Sequence, residues 1–123
     1  MENSKGNRND TNMGAIMELR GRSLLIQISK DLDHHNAVMI REKADKLIDK
    51  NSINQIIFDF SNSEFMDSSG IGVIMGRYRK IIFTGGKVAV TNVNSSVDRI
   101  FKLSGLYKII DKYATIEEAL AIS

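Results

Sequence analysis

At 123 residues, 42% of them hydrophobic and 26% charged, the chain has the size and balance of a single soluble globular domain. Its net charge of +2, with acidic and basic residues interspersed, speaks against the concentrated basic face of a nucleic-acid binder. Cysteine is absent, which removes disulfides and thiolate chemistry, and no apolar run reaches the ~18 residues of a membrane span or forms a signal peptide. The expected compartment is the cytoplasm.

Residues 1–12 hold almost nothing to bury and read as a disordered polar N-terminal tail, leaving 13–123 as the domain. Ala15–Leu19 and Leu24–Ile28 read as two strands of a hairpin turning at Arg20-Gly21-Arg22. A helix is predicted from His34 to Lys50, with Ala37, Ile40, Ala44, Leu47 and Ile48 on its apolar face and Asp33 as its cap. A buried strand follows at Gln55–Phe60. A second helix opens at Ser68-Ser69 and runs to about Phe83, where Gly85-Gly86 stops it. Lys87–Thr91 is the next strand, and Ser95–Ser104 a short helix ended by Gly105. Lys108-Ile109-Ile110 reads as a short edge strand, and Thr115–Ile122 as a last helix with Thr115 and Glu118 at capping-box spacing.

The expected class is α/β: one mixed sheet of four to five strands flanked by four helices. Strands separated by whole helices run parallel through right-handed crossovers, so their outgoing loops share one edge of the sheet. Asp33, Ser68 and the stretch Asn92–Ser95 are therefore expected on a common rim.

Phe65-Met66-Asp67-Ser68-Ser69-Gly70-Ile71-Gly72 is the most informative stretch of that rim. Two hydroxyls stand at the positive end of a helix, with two glycines to let another molecule approach. A serine there either caps the helix, for roughly 1 kcal/mol, or serves as a phosphoacceptor. A phosphate would add a charge of about −1.5 to −2 beside Asp67 and Asp33 and spoil a desolvated contact.

Three other chemistries fit poorly. A nucleophile elbow needs glycine two residues to either side of its serine, and Met66 or Asp67 stands on the near side. His34-His35 are adjacent rather than three or four apart, so no metal site is expected. Gly85-Gly86-Lys87 lacks the leading glycine and the following helix of a phosphate-binding loop and reads as helix termination.

On these residues the chain resembles the anti-sigma factor antagonists, single-domain members of the STAS family, and most nearly those of the sporulation type. The likeness runs from about Met13 to the C-terminus. Phe65–Tyr78 carries most of it, and Leu32-Asp33-His34-His35 and Ser104–Ile110 support it. The resemblance implies a non-enzymatic protein without cofactor or metal, whose unphosphorylated form binds an anti-sigma factor that is also a serine kinase. Sigma factor is thereby released. The kinase then modifies Ser68, and a serine phosphatase restores it. Partner-binding is expected at Asp33, His34, Asp67, Ser68, Ser69, Gly70, Ile71 and Gly72, with no direct contact to nucleic acid or membrane. Two alternatives stand beside it: a general-stress antagonist or scaffold of the same family, and a nucleotide-binding protein. Lys30 departs from the family pattern, which has glycine there, and would strain the loop if that backbone needs a positive φ. Ile71 replaces a leucine at nearly conserved volume.

Overall fold

Apolar alternation and glycine turns set the start of the sheet. Ala15–Arg20 (β1) and Ser23–Ile28 (β2) pair antiparallel around Gly21, whose φ of +59° is a conformation glycine adopts without steric cost. The computed structural model describes residues 14–122, so the tail predicted at 1–12 lies outside the described residues. Beyond β2 the chain alternates helix and strand: His34–Lys50 (α1), Gln55–Asp59 (β3), Ser68–Ile82 (α2), Lys87–Thr91 (β4), Ser95–Ser104 (α3), Asp111–Tyr113 (β5) and Ile116–Ile122 (α4). The five strands lie in the order β1-β2-β3-β4-β5, with β2 through β5 parallel and only β1 reversed. Among the described residues, the mixed sheet with four α-helices is the architecture expected.

Strand alternation divides the apolar residues between two faces. Leu24, Ile26, Ile56, Phe58, Val88 and Val90 meet Ile40 and Ala44 of α1, Val73, Ile74 and Ile81 of α2, and Val97 and Phe101 of α3 in the main core. On the other face Leu25, Ile57 and Ala89 pack under the short α4 through Ala119. With three helices on one side and one on the other, the main core carries most of the burial. Among the described residues, no helix is long and apolar enough to cross a membrane.

The last strand departs from the sequence reading. Gly105, at φ +78°, ends α3 and starts a 3-10 turn over Leu106–Lys108. Leu106 and Ile110 are turned into the core at 3% and 4% exposure, and the Ile110 amide donates to the Leu106 carbonyl at 3.0 Å. Of the apolar pair predicted as an edge strand, Ile110 thus plugs the core together with Leu106, while Ile109 stays exposed. The strand itself is the polar Asp111-Lys112-Tyr113, paired with Ala89–Thr91.

Candidate functional site

Loops leaving β2, β3 and β4 meet at one edge, as the parallel topology requires. Leu32 and Met66 form an isolated parallel bridge beyond the sheet, with Leu32 N–H donating to Phe65 O at 3.0 Å and Asp67 N–H to Leu32 O at 3.2 Å. From the neighbouring loop Asn94 Nδ2 donates to Ser63 O at 3.0 Å, while its Oδ1 caps α3 by accepting from Val97 N–H at 2.9 Å. Behind them, buried Asp59 accepts from Thr91 Oγ1 at 2.8 Å, Asn92 Nδ2 at 2.6 Å and Ser61 Oγ at 2.6 Å, tying the ends of β3 and β4 together. Asn92 is the only non-glycine with positive φ among the described residues, at 54°. The strain considered for Lys30 is therefore not present.

At the start of α2 the capping reading is corrected by one residue. Asp67, not a serine, is the N-cap: its Oδ1 accepts from Ser69 N–H at 2.8 Å. Ser68 is the first helical residue, and its exposed hydroxyl stays outside the cap. Burial opposes ionisation of Asp67, but the amides of Ser69 and His34, the Ser69 hydroxyl and the His34 ring outweigh it and hold the carboxyl below its usual value. The helix end thus already holds an anion, and the Ser69 amide is committed to it before any phosphate arrives.

Asp33 caps α1 as predicted, accepting from His35 N–H at 2.9 Å and forming a capping box with Asn36. His34 Nδ1 stands 3.8 Å from Asp67 Oδ2 and His35 Nδ1 3.7 Å from Asp33 Oδ1, and the two imidazole rings lie 4.1 Å apart. Among the described residues no group of three or more histidine and acidic side chains could hold a metal ion.

The two glycines of the motif differ. Gly70 is buried, and a Cβ built on it would lie 2.3 Å from Met66 Cγ and 3.0 Å from Leu32 Cγ. Its missing side chain serves the Leu32–Met66 bridge rather than the approach of another molecule. Gly72 is exposed, and a Cβ there would meet nothing within 4 Å. Ile71 is half-buried against the main core.

Between α1 and α2 runs an open groove of about 340 Å³, lined by His34, Ala37, Val38, Arg41, Ser69, Gly72 and Val73. Val38 and Met39 nearby on α1 are 48% and 45% exposed, and Phe65 on the rim 47%. Val38 and Arg41 were not singled out from sequence. Their signal was present, because residues four and seven after His34 continue its stripe along a helix.

A STAS domain profile matches residues 15–119 of this chain. Over 109 residues, covering 89% of this chain and 93% of the relative, it is 40% identical to the anti-sigma F factor antagonist of Paenibacillus polymyxa. The solved structure of the anti-sigma factor antagonist SpoIIAA in its unphosphorylated form superposes with a TM-score of 0.78 at 34% identity, covering 86% of this chain and 92% of that one. The phosphorylated form of the Bacillus cell fate determinant SpoIIAA gives 0.71 at 32% identity, over 87% and 96% of the two chains.

Proposed function

This chain is a member of the STAS domain family, and on that footing we propose that it is an anti-sigma factor antagonist of the sporulation type, switched by phosphorylation of Ser68. In the unphosphorylated form the rim docks on an anti-sigma factor, which then lets go of its sigma factor. The antagonist acts on transcription without touching nucleic acid, and its place is the cytoplasm. Its contact surface is Asp33, His34, Asp67, Ser68, Ser69, Ile71 and Gly72, with the α1–α2 groove beside them.

One observation carries the assignment of Ser68: Asp67 takes over the cap, so the neighbouring hydroxyl is exposed at the first helical position with no structural task. An unactivated serine is a weak nucleophile, so the partner supplies ATP, metal and base. The Ser68 oxygen bonds to the γ-phosphorus, the bond to ADP breaks, and the hydroxyl proton passes to the kinase's base. The product dianion stands next to an ionised Asp67 on a helix end already occupied by that carboxylate, so this chain offers it little neutralisation. Covered by a partner, such a charge costs several kcal/mol, and the complex separates. A phosphatase returns the protein to its binding form. Nothing in this cycle asks the antagonist to catalyse a reaction.

Incubation with an anti-sigma F factor and magnesium-ATP, followed by mass spectrometry, tests the assignment. One phosphate on Ser68 and none on the Ser68→Ala variant is the expected result. Full modification of Ser68→Ala, or phosphate on Ser69, would refute it.

A further inference from the structure

The stretch Ser63–Asp67 that delivers Ser68 has no helix or sheet of its own beyond the single bridge at Met66. Asn94 holds its start at Ser63 and Leu32 its end at Phe65 and Asp67, and between them one carboxylate takes two further amides. Asp31, half-buried in the loop between β2 and α1, accepts both the Glu64 amide (3.2 Å) and the Phe65 amide (3.0 Å) on its Oδ1. Asp31 is itself anchored, because its carbonyl accepts from Asn36 Nδ2 at 2.7 Å and Asn36 Oδ1 accepts from Asp33 N–H at 3.1 Å. Three segments converge on this one residue: its own loop, the first turn of α1, and the approach to α2. Phe65 adds little packing to the approach, since its side chain is 47% exposed. Between buried Ser63 and buried Met66, the bonds to Asp31 are what fix the Glu64 and Phe65 amides, and an anionic acceptor holding two amides is the stronger kind.

We propose that Asp31 is a positioning residue for phosphorylation of Ser68. It does not touch the hydroxyl. It fixes the backbone just ahead of it, so that Ser68, Asp67 and the α1–α2 groove meet a kinase as one preformed surface. The inference rests on Ser68 being the phosphoacceptor. A kinase acting on such a surface gains affinity from its order, so loosening the approach weakens docking more than the chemical step. Asparagine at position 31 keeps an oxygen able to accept both amides, whereas alanine keeps none.

The test is steady-state phosphorylation by an anti-sigma F factor with magnesium-ATP, with the full-length antagonist varied, and amide hydrogen exchange on the same proteins. In Asp31→Ala the KM for the antagonist is expected to rise about tenfold with kcat within about twofold, and the Glu64 and Phe65 amides to exchange at least about tenfold faster. Asp31→Asn should stay close to wild type in both. Ser23→Ala, which breaks a buried 3.0 Å bond to Gln55 at the opposite end of the sheet, controls for lost stability and should leave KM unchanged. Exchange is read on the folded protein, so a destabilised Asp31→Ala variant still reports. Unchanged exchange, or unchanged KM while wild type is labelled on Ser68, overturns the positioning role alone. Wild type left unlabelled on Ser68 overturns the phosphoacceptor reading and this inference together.

Discussion

Two helices of this protein begin with nearly the same words, Asp67-Ser68-Ser69 at α2 and Asn94-Ser95-Ser96 at α3, on adjacent loops of one rim. In each, the first residue caps and the serine pair is at least partly accessible. The next turn of helix sets them apart. After the first pair come Gly70-Ile71-Gly72, which let the helix sit on the Leu32–Met66 bridge and leave a bare groove beside it. After the second come buried Val97 and Asp98, and Asp98 is fully engaged: it accepts from Tyr107 Oη at 2.5 Å and Lys112 Nζ at 2.8 Å and pairs with Lys102 at 3.0 Å. Local capping chemistry is thus shared, and what distinguishes the α2 start is the groove that Ser69 and Gly72 line with α1.

Charge should separate the two starts most strongly. Ser68→Asp is expected to weaken binding to an anti-sigma F factor by about a hundredfold in calorimetry, because the new carboxylate is covered on docking. Ser95→Asp should change it by less than about threefold, since an exposed charge at a helix start is tolerated. Equal losses in both would dissolve the distinction.

The glycines sharpen it within α2. Gly70→Ala should lower stability by about 1–3 kcal/mol in denaturant unfolding, because its Cβ overlaps Met66 and crowds Leu32. Gly72→Ala should raise stability by up to ~1 kcal/mol, since the position is open and alanine favours helix. Its binding should nonetheless fall several-fold if the partner covers the groove.

The smallest effect concerns acid. Hydrogen bonds from Lys112, Tyr107 and Lys102, opposed by burial, hold the Asp98 carboxyl far below its ordinary 3.8. A carboxyl depressed in the folded state stabilises above its unfolded value, and that contribution fades as pH falls through the folded one. Asp98→Asn should therefore lower the melting temperature by a few degrees near neutral pH. The gap to wild type should narrow below pH 3.8. A gap independent of pH would mean that shape, not charge, holds the Asp98 cluster together.

Much of this was legible in the chain. Strong periodicity locates α1 and α2, a continuous apolar run locates β3, and the parallel topology these imply brings Asp33, Ser68 and Asn92–Ser95 to one edge. β5 was misplaced because Ile109-Ile110 carries the apolar signal of a strand, while the turn at Gly105 sends Ile110 into the core and leaves pairing to a polar tripeptide. The cap of α2 was ambiguous for a different reason. Asp67, Ser68 and Ser69 are all good capping residues in a row, and propensity hardly ranks them. The bond from Asp67 N–H to Leu32 O selects the register, and it comes from a loop over thirty residues away.

By itself the sequence determined most of the element types, the parallel order and the place of Asp67-Ser68-Ser69 on the rim, because these follow from patterns within a few residues and from the handedness of crossovers. Only the tertiary structure decided that Ser68 is spared from capping, that Gly70 faces inward while Gly72 faces out, and that Asp31 clamps the approach. Each of those depends on which distant loop packs alongside, and a hydrogen bond across two loops leaves no periodic trace in either.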